Sequence, residues 1–529
     1  MASLFRRLDV RLAVLAYLTC ILVQSGGLGG LDTYRRLGAT HALWTAAPPV
    51  DPAAYPRFGI RGHGGEIQTW YGIGQSLVML PGDVIGTALA ARIRGSAAVK
   101  TRVRIAAVAY LTFPLIDAMA IVVALHLLCA LGLSIRSAML GALGLLLLTS
   151  FLHYSQNHQE NNLMLLGTLT LYWSAAKWLS ESRIWPWVAL GAFAAGFNLL
   201  IRVTTMLDFA GVLAFTMLMR WRVKAAGGEL DWRRKLWPAV MVGLPILLAA
   251  VTIDRLYQFH RFGTFCGTYL NLFAQEQRRF KPTLSPDFPF SGRFSTGFFG
   301  PFVSMHKSVF LFDPTVLLAA AGLLRLLQAS RGRGLLATQA FLIGAFIQLL
   351  VVVAFYAKYF DWSGDVAWGD RFITVPLHLM CMVGISLAAE GWVALSFPSR
   401  LAVAAICIIA LTVQLASVVF LPALETEQEQ TYGHRSFVIG QRFENIAGLF
   451  TGQLQIEANK YPHWDAAKSS LAPFTQGDLW PGRLSRRAVQ LMWGVCVLLD
   501  GVGLILLIRR VIGCGIGSAG DQSARRASF

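Results

Sequence analysis

Long apolar segments recur along the whole chain, and they restrict its fold more than any other feature of the sequence. About twelve of them approach the roughly 20 residues that a helix needs to cross the hydrocarbon core of a bilayer. Of the 529 residues, 55% are hydrophobic and only 14% are charged, whereas about 25% of an average soluble domain is charged. The composition therefore excludes an ordinary soluble globule and predicts an all-α polytopic membrane protein.

The polar loops divide the chain into these predicted spans. The spans cover residues 12–28, 105–131, 138–153, 163–179, 185–201, 206–219, 236–253, 312–327, 335–355, 372–387, 401–420 and 488–508. Arg6 and Arg7 precede the first span, so a cleaved signal peptide is an alternative to a retained helix. The long series of spans that follows favours the retained helix.

Positive charge is concentrated in certain loops. The formal net charge is +18, but much of it lies in short clusters between apolar segments, which a positive-inside topology explains better than nucleic-acid binding does. The cations assigned to the cytoplasmic side are Arg6, Arg7, Arg11, Arg220, Arg222, Lys224, Arg233, Arg234, Lys235, Arg331, Arg333, Arg509, Arg510, Arg525 and Arg526. Both termini are then cytoplasmic, and the long loops 29–104, 254–311 and 421–487 face outward.

Segment 73–91 does not fit this alternation. It is apolar enough to span, and the cations at 92–104 would suit a cytoplasmic loop, but a crossing here would invert every later span. Pro81, Gly82 and Asp83 lie in its middle and disfavour a lipid-facing helix. The segment is therefore predicted to lie in the outer interface, with a spanning helix as the alternative.

The cysteines point to neither a disulfide framework nor a zinc site, because they are scattered and form no C-x-x-C pair. The seven are Cys20, Cys129, Cys266, Cys381, Cys407, Cys496 and Cys514.

Polar residues cluster on the predicted outer side of the membrane. Asp32 lies just past the first span, in a loop too long to be a simple connection, and the short second outer loop is densely polar and contains Glu160. Arg202 stands between two spans, where burial of its charge costs about 2.5–3.5 kcal/mol and requires an anionic partner. A glycine-rich stretch at 297–314 and a polar segment at 361–371 lie on the same side. Their convergence predicts a functional site at this membrane face.

In these segments the chain resembles the C-type superfamily of integral-membrane glycosyltransferases, in particular the bacterial branch related to protein O-mannosyltransferases and lipid A aminoarabinose transferases. The resemblance rests on Asp32, on the Tyr-Gly-Ile-Gly-Gln-Ser-Leu run at 71–77, on Glu160, on the stretch 297–314 and on the Trp-Gly-Asp-Arg-Phe turn at 368–372. It covers the chain up to about residue 390. It implies about twelve transmembrane helices, with interfacial helices in the first outer loop and a catalytic module within residues 1–420.

Members of that superfamily transfer a sugar from a polyprenyl-phosphate donor to an acceptor on the outer face of the membrane. The resemblance implies such an enzyme in a bacterial cytoplasmic membrane, with a glycan, a lipid or a protein as acceptor. Asp32 matches the first-loop acid, which would take the acceptor proton, and Glu160 matches the second-loop acid. The departing lipid phosphate needs fixed cations, for which Arg202, Lys307 and Arg371 are the candidates.

Further residues are expected around this centre. The expected lining of the substrate pocket is Tyr34, Glu66, Tyr71, Gln75, His158 and Trp368. A divalent cation, Mg²⁺ or Mn²⁺, is also expected, with Glu160, Glu66 and His158 as hard ligands, although their spacing is not diagnostic. The chain departs from the family at Thr33, where protein mannosyltransferases carry a second acid, and at Asp370, where relatives often have proline. The acceptor class is therefore not carried over.

Structural roles stay open for the same residues. Asp32 is also a favourable N-cap for a following helix, and Arg202 is placed to pair with Asp208 or Asp117. The alternative function is a transporter or flippase for a lipid-linked glycan, which predicts inverted repeats and interrupted helices near the midplane. The sequence shows no such repeat, and its polar groups cluster outside the apolar segments, which favours the enzyme.

Overall fold

The computed structural model describes residues 2–24, 26–55, 58–225, 231–329, 336–364, 367–420, 423–433, 437–454 and 483–513. Within them the chain is almost entirely helical, with one antiparallel pair of short strands, β1 (Ile60–Arg61) and β2 (Ile67–Gln68). The all-α fold is therefore confirmed. About half of the predicted outer region 421–487, and the cations Arg331, Arg333, Arg525 and Arg526, lie outside the described residues.

The helices are numbered in chain order. They are α1 (Ala2–Val23), α2 (Leu31–Ala42), α3 (Gly74–Arg92), α4 (Ala97–Leu111), α5 (Phe113–Ala130), α6 (Ile135–Leu147), α7 (Phe151–Gln156), α8 (Asn161–Ser180), α9 (Trp185–Ile201), α10 (Asp208–Ala225) and α11 (Trp232–Pro238). They continue with α12 (Leu244–Phe262), α13 (Tyr269–Phe280), α14 (Phe294–Val303), α15 (Val309–Phe312), α16 (Val316–Ala329), α17 (Ala337–Tyr356), α18 (Thr374–Glu390), α19 (Phe397–Ser417), α20 (Ala423–Tyr432), α21 (Val438–Thr451) and α22 (Arg483–Gly513).

Each predicted span falls on one of these helices or on two consecutive ones. The span 185–201 has the same bounds as α9, and 105–131 falls on α4 and α5, which together form one apolar segment of 34 residues. In the described part of the chain, five segments are long and apolar enough to cross a membrane: Ala97–Ala130, Val203–Lys224, Arg234–Phe262, Ala337–Tyr356 and Phe397–Ser417. Five shorter apolar helices accompany them. The chain is a multi-pass membrane protein.

Helix α3, the segment that did not fit the alternation, is not among these five. It packs antiparallel on α4, and its Asp83 is fully buried. The Asp83 carboxylate accepts hydrogen bonds from Trp44 Nε1 at 2.9 Å and contacts His41 Nδ1 at 2.8 Å and Arg104 Nε at 3.4 Å. The charge in the middle of α3 therefore points into the protein, towards α2 and α4. Placement of α3 in the outer interface stays a prediction.

The bundle core gathers the outer loops at one end. Helices α1, α5, α6, α8 and α18 pack together around a continuous set of buried apolar side chains. As a result, the loop after α1, the loop before α8, the end of α9 and the segment before α18 meet at the same end of the bundle. These are the polar segments whose convergence the sequence predicted.

Candidate active site

A cavity of about 230 Å³ opens where these loops meet. Because one water needs about 10–15 Å³ on the same measure, the cavity has room for a ligand of roughly fifteen non-hydrogen atoms. Its walls come from α2, the ends of α8 and α9, helix α12 and the segment between α17 and α18. Both predicted acids and two of the three predicted cations face it, namely Asp32, Glu160, Arg202 and Arg371.

Helix α2 carries the first acid into the cavity. The helix starts after Gly29, which has a φ of +70° and lies so close to Asn157 that a Cβ would come within 2.6 Å of the Asn157 Cα; this conformation and contact favour glycine. No side chain caps α2. Instead, the Asp32 carboxylate accepts hydrogen bonds from Tyr71 Oη at 2.5 Å and from Arg371 Nη1 at 3.2 Å. The N-cap alternative for Asp32 is therefore not realised.

Glu160 binds two guanidinium groups. Its Oε2 lies 2.8 Å from Arg36 Nη2, and its Oε1 accepts from Arg202 Nη1 at 3.2 Å. The anionic partner that the sequence required for Arg202 is thus Glu160, whereas Asp208 accepts hydrogen bonds from Thr168 and Gln348. Glu160 precedes α8 and Arg202 follows α9, so this pair also ties the ends of two neighbouring helices together.

A close backbone contact fixes the first outer loop beside this pair. Gly72 packs against the end of α9, where a Cβ would lie 2.6 Å from the Ile201 carbonyl oxygen. Only glycine allows so close an approach. The contact holds the neighbouring Tyr71 at the cavity, next to Arg202, and gives a structural reason for the glycine in the 71–77 run.

The acids and arginines together leave one positive charge in excess. The three guanidiniums are those of Arg36, Arg202 and Arg371, and the two carboxylates are those of Asp32 and Glu160. Arg36 Nη1 and Arg371 Nε are buried without a hydrogen-bond partner. An unpaired buried donor costs about 1–3 kcal/mol, and more when it is charged, so an anionic ligand that accepts these hydrogen bonds is strongly favoured. This end of the cavity is called the arginine end below.

The same charges hold both acids ionised. Burial alone would raise the pKa of Asp32, but Arg371, Arg36 and the Tyr71 hydroxyl together lower it below its ordinary value. Burial likewise opposes ionisation of Glu160, and Arg36 and Arg202 outweigh it, so the pKa of Glu160 is also lowered. In the ligand-free protein, Asp32 is therefore a weakly basic carboxylate.

Acid should destabilise the protein through Glu160. A carboxyl whose pKa is lowered by folding contributes stability above its ordinary pKa and loses that contribution as the pH falls through the folded-state value. The thermal unfolding midpoint should therefore fall as the pH drops below about 4.5, the ordinary value for Glu. In Glu160→Gln the midpoint should be lower at neutral pH and this acid-dependent part of the loss should disappear. Differential scanning fluorimetry in detergent measures both effects, with the exposed Glu66→Gln as control; parallel curves for Glu160→Gln and wild type would contradict the assignment.

Lys307 lies behind the cavity and does not line it. Its side chain is 1% exposed, and Nζ donates hydrogen bonds to the carbonyl oxygens of Ala367 and Gly369 at 2.5 and 3.1 Å. The Tyr154 hydroxyl donates to the carbonyl oxygen between them, that of Trp368, at 3.2 Å. The lysine expected at the donor phosphate thus holds the turn that carries Arg371. Buried carbonyls need such partners, which explains why the cation faces inward.

Two predicted pocket residues, His158 and Gln75, support α2 from behind. The His158 carbonyl oxygen accepts hydrogen bonds from Thr33 Oγ1 at 2.8 Å and from Gln75 Nε2 at 2.9 Å. The His158 ring stacks on Phe113 with centroids 4.2 Å apart, and burial lowers its pKa to about 3. The ring is therefore neutral and points away from the cavity. Thr33 is also buried and is not part of the cavity lining.

Three other predicted pocket residues also lie off the cavity. The Tyr34 hydroxyl accepts a hydrogen bond from the Leu28 backbone N–H at 3.1 Å. Glu66 is exposed and accepts from Gln68 Nε2. Trp368 is 2% exposed, and its ring packs against Phe312 and the Arg442 guanidinium. Of the six predicted pocket residues, Tyr71 alone lines the cavity.

The residues expected to bind a divalent cation do not come together. Glu160 is held between two arginines, Glu66 lies at the surface and the His158 ring is stacked on an aromatic side chain. The part of the chain that the structure describes contains no group of three His, Cys, Asp or Glu side chains suited to a metal. These residues therefore do not fit the expected metal site.

No protein-family model and no curated protein matches the sequence. Two solved structures are similar. The archaeal oligosaccharyltransferase AglB from Archaeoglobus fulgidus, in complex with an inhibitory peptide and a dolichol-phosphate, is 14% identical at a TM-score of 0.48; the match covers 78% of this chain and 56% of AglB. ArnT from Cupriavidus metallidurans, bound to undecaprenyl phosphate, is 15% identical at a TM-score of 0.46; the match covers 96% of this chain and 74% of ArnT. At these scores neither similarity assigns a residue role.

The structure adds site residues that the sequence reasoning missed. Arg36 lies one helical turn after Asp32 on α2, and residues four apart in a helix share a face, so that spacing was the available signal. On α12, the buried residues Ala250, Asp254, Gln258 and Arg261 recur at helical spacing. A polar stripe on a helix that begins as an apolar span marks a face turned into the protein. The predicted span ends at residue 253, before the three polar residues of this stripe.

Proposed function

We propose that the chain is a glycosyltransferase that moves a sugar from a polyprenyl-phosphate donor to an acceptor hydroxyl on the outer face of a bacterial cytoplasmic membrane. The observation that carries this proposal is the arginine end of the cavity, where two acids from distant parts of the sequence meet three guanidiniums. Two of these guanidiniums, those of Arg36 and Arg371, have a buried N–H group without a hydrogen-bond partner. The sequence resemblance to integral-membrane glycosyltransferases supports the same reaction.

The arginine end suits the charge that the reaction creates. The donor is a phosphodiester with one negative charge. When the bond between the sugar C1 and the phosphate oxygen breaks, the polyprenyl phosphate leaves as a monoester with a second negative charge. Fixed donors aimed at a developing charge are worth about 10²–10³ in rate each. Arg36 Nη1 and Arg371 Nε are such donors, and guanidinium groups match phosphate oxygens in a bidentate fashion.

Asp32 is placed to take the proton of the acceptor. As the acceptor oxygen bonds to C1, its O–H proton passes to the Asp32 carboxylate, so the negative charge gained by the phosphate is balanced by the charge lost from the acid. The lowered pKa of Asp32 makes it a poor base without donor. A phosphate that binds Arg371 competes with Asp32 for the same guanidinium, and the carboxylate then regains basicity. Donor binding would thus activate the base.

Glu160 has a positioning role in this scheme. It binds Arg36 and Arg202 and is 6% exposed, so its carboxylate is occupied by the two guanidiniums rather than offered to a substrate. Leu199, Leu270 and Phe273 form an apolar edge of the cavity. Such an edge fits the prenyl chain of the donor where that chain enters from the bilayer.

A reconstituted transfer assay tests the proposal. The purified protein is placed in liposomes with undecaprenyl-phospho-glucose, -mannose or -arabinose carrying a radiolabelled sugar, together with an extract of cell-envelope lipids and glycans. We expect release of undecaprenyl phosphate with the label recovered in the acceptor fraction for at least one donor. Movement of intact donor across the bilayer without cleavage would instead support the flippase alternative. No cleavage of any donor would contradict the proposal.

A further inference from the structure

One part of the cavity wall, formed by α12 and by residues of two neighbouring loops, has no role in the transfer described above. Its lining includes Asp254, Gln258, Trp70, Tyr359 and Asp361. It is called the α12 end below. No role was assigned to any of these residues from the sequence.

Helix α12 is fixed so that its polar stripe faces the cavity. Arg261 is buried, and its Nη1 donates hydrogen bonds to the carbonyl oxygens of Thr69 at 2.7 Å and Tyr71 at 3.0 Å. The residue between these two carbonyls is Trp70, whose ring packs edge-on against Phe273 with centroids 5.0 Å apart. The α12 end is thus joined directly to the loop that holds the Asp32 partner Tyr71.

One buried polar group at this end has no partner. Gln258 is 4% exposed and lines the cavity, yet its Oε1 makes no hydrogen bond. Leaving a buried acceptor unpaired is costly, so a ligand that donates a hydrogen bond here is favoured. Hydroxyl groups are such donors. Aromatic walls from Trp70 and Tyr359 offer apolar faces for the carbon skeleton between those hydroxyls.

The two sets of residues differ in how their charges are paired. At the arginine end the cations exceed the carboxylates, whereas at the α12 end Asp254 is paired with Arg255 at 2.5 Å, and Asp361 interacts with Arg371. Arg255 is held by the Asp254 carboxylate and by the carbonyl oxygens of Phe265 and Gly267. A phosphate is therefore attracted to the arginine end, where guanidinium N–H groups are without partners. A neutral group that donates several hydrogen bonds suits the α12 end.

We propose that the α12 end is the binding subsite for the sugar of the donor, with Gln258 Oε1 accepting a hydrogen bond from one of the sugar hydroxyls. This inference rests on the proposed function and names the part of the donor that each end of the cavity recognises. A sugar phosphate has close to the number of non-hydrogen atoms for which the cavity has room. The subsite recognises the sugar before any bond is broken, so Gln258 contributes to donor selection and not to proton transfer.

Binding measurements with matched lipids test the subsite. The probes are farnesyl-phospho-glucose, farnesyl-phospho-mannose and methyl farnesyl phosphate, which has the same phosphodiester charge but no sugar. Dissociation constants are measured by microscale thermophoresis with wild type, Gln258→Leu and Gln258→Glu in nanodiscs. We expect wild type to bind at least one sugar probe on the order of tenfold more tightly than the methyl ester. Gln258→Leu should lose this preference, and Gln258→Glu, which retains an acceptor oxygen, should keep most of it.

The result distinguishes failure of the subsite from failure of the proposed function. Arg371→Gln should weaken all three probes alike, because it removes one of the two proposed phosphate donors. If wild type binds the methyl ester as tightly as both sugar probes, or if Gln258→Leu keeps the preference, the sugar subsite is wrong while phosphate recognition stands. If no probe binds wild type, or if Arg371→Gln weakens none of them, the proposed function fails and the subsite with it. Unchanged thermal unfolding of Gln258→Glu and Gln258→Leu excludes misfolding as the cause.

Discussion

Replacing Asp32 with asparagine should lower the rate of sugar transfer by about 10²–10⁴-fold, the usual contribution of a positioned general base. Asparagine preserves the shape of the side chain, and its one carbonyl oxygen can still accept a hydrogen bond from Arg371, but its NH2 group cannot accept the hydrogen bond from Tyr71. Asparagine cannot take a proton either. The amide also competes less well for the Arg371 guanidinium, so donor affinity should stay the same or rise. The expected signature is a fall in kcat without a rise in the dissociation constant of the donor.

The control for this experiment is Asp51→Asn. Asp51 lies in the same outer loop, is exposed, and accepts a hydrogen bond from the Ala53 backbone N–H, which asparagine can also do. Its transfer rate should match wild type. Single-turnover measurement with prebound donor separates the chemical step from binding. An Asp32→Asn protein that transfers sugar at the wild-type rate would remove Asp32 from the proposed mechanism.

Replacing Arg371 with glutamine should reduce kcat/KM by about 10²–10³-fold, the usual effect of losing one preorganised donor at a developing charge. Arg371 binds Asp32 at 3.2 Å, and its charge also interacts with that of Glu160. Its backbone carbonyl is fixed by Asn161 Nδ2 at 2.6 Å. The guanidinium therefore has a defined position before the donor binds, so its loss should lower kcat/KM strongly.

Two further variants test this prediction: Arg371→Lys for partial recovery and Arg183→Gln as the control. Lysine keeps the charge but not the planar fork, so Arg371→Lys should recover part of the activity. Arg183 is exposed in the connection between α8 and α9, and Arg183→Gln should behave like wild type. Initial rates over a range of donor concentrations give kcat/KM for each protein. An Arg371→Gln protein with normal kcat/KM would show that the phosphate binds elsewhere.

The helices could be predicted because lipid imposes one simple requirement on them. A spanning helix needs a long apolar run, and that run is visible in the sequence, as the identical bounds of the predicted span 185–201 and α9 show. The same reasoning brings Asp32, Glu160, Arg202 and Arg371 together. Polar residues at the same ends of neighbouring spans are expected to lie close to one another.

Side-chain direction within the loops could not be predicted in this way. Lys307 and His158 lie in loops, as predicted from the sequence, but backbone carbonyls bind the lysine and Phe113 stacks on the histidine. No periodicity governs such loops, so position along the chain does not reveal which way a side chain points. Where a helix imposes a period, as for Asp32 and Arg36 or for Asp254 and Gln258, the spacing indicates which residues share a face. These residues can be identified from the sequence once the helix boundaries are known.

Because Lys307 is bound to carbonyl oxygens, the basic side chains that line the cavity within the described ranges are all arginines: Arg36, Arg202, Arg255 and Arg371. A lysine ammonium in a partly dry site gives up its proton readily, whereas a guanidinium stays charged under any condition in which a membrane survives. The affinity for the proposed lipid phosphate should then change little as the pH of the medium rises. A cell controls the acidity of its interior but not that of the medium outside, and a catalyst that works on the exposed face of a membrane gains from cations that the medium cannot neutralise.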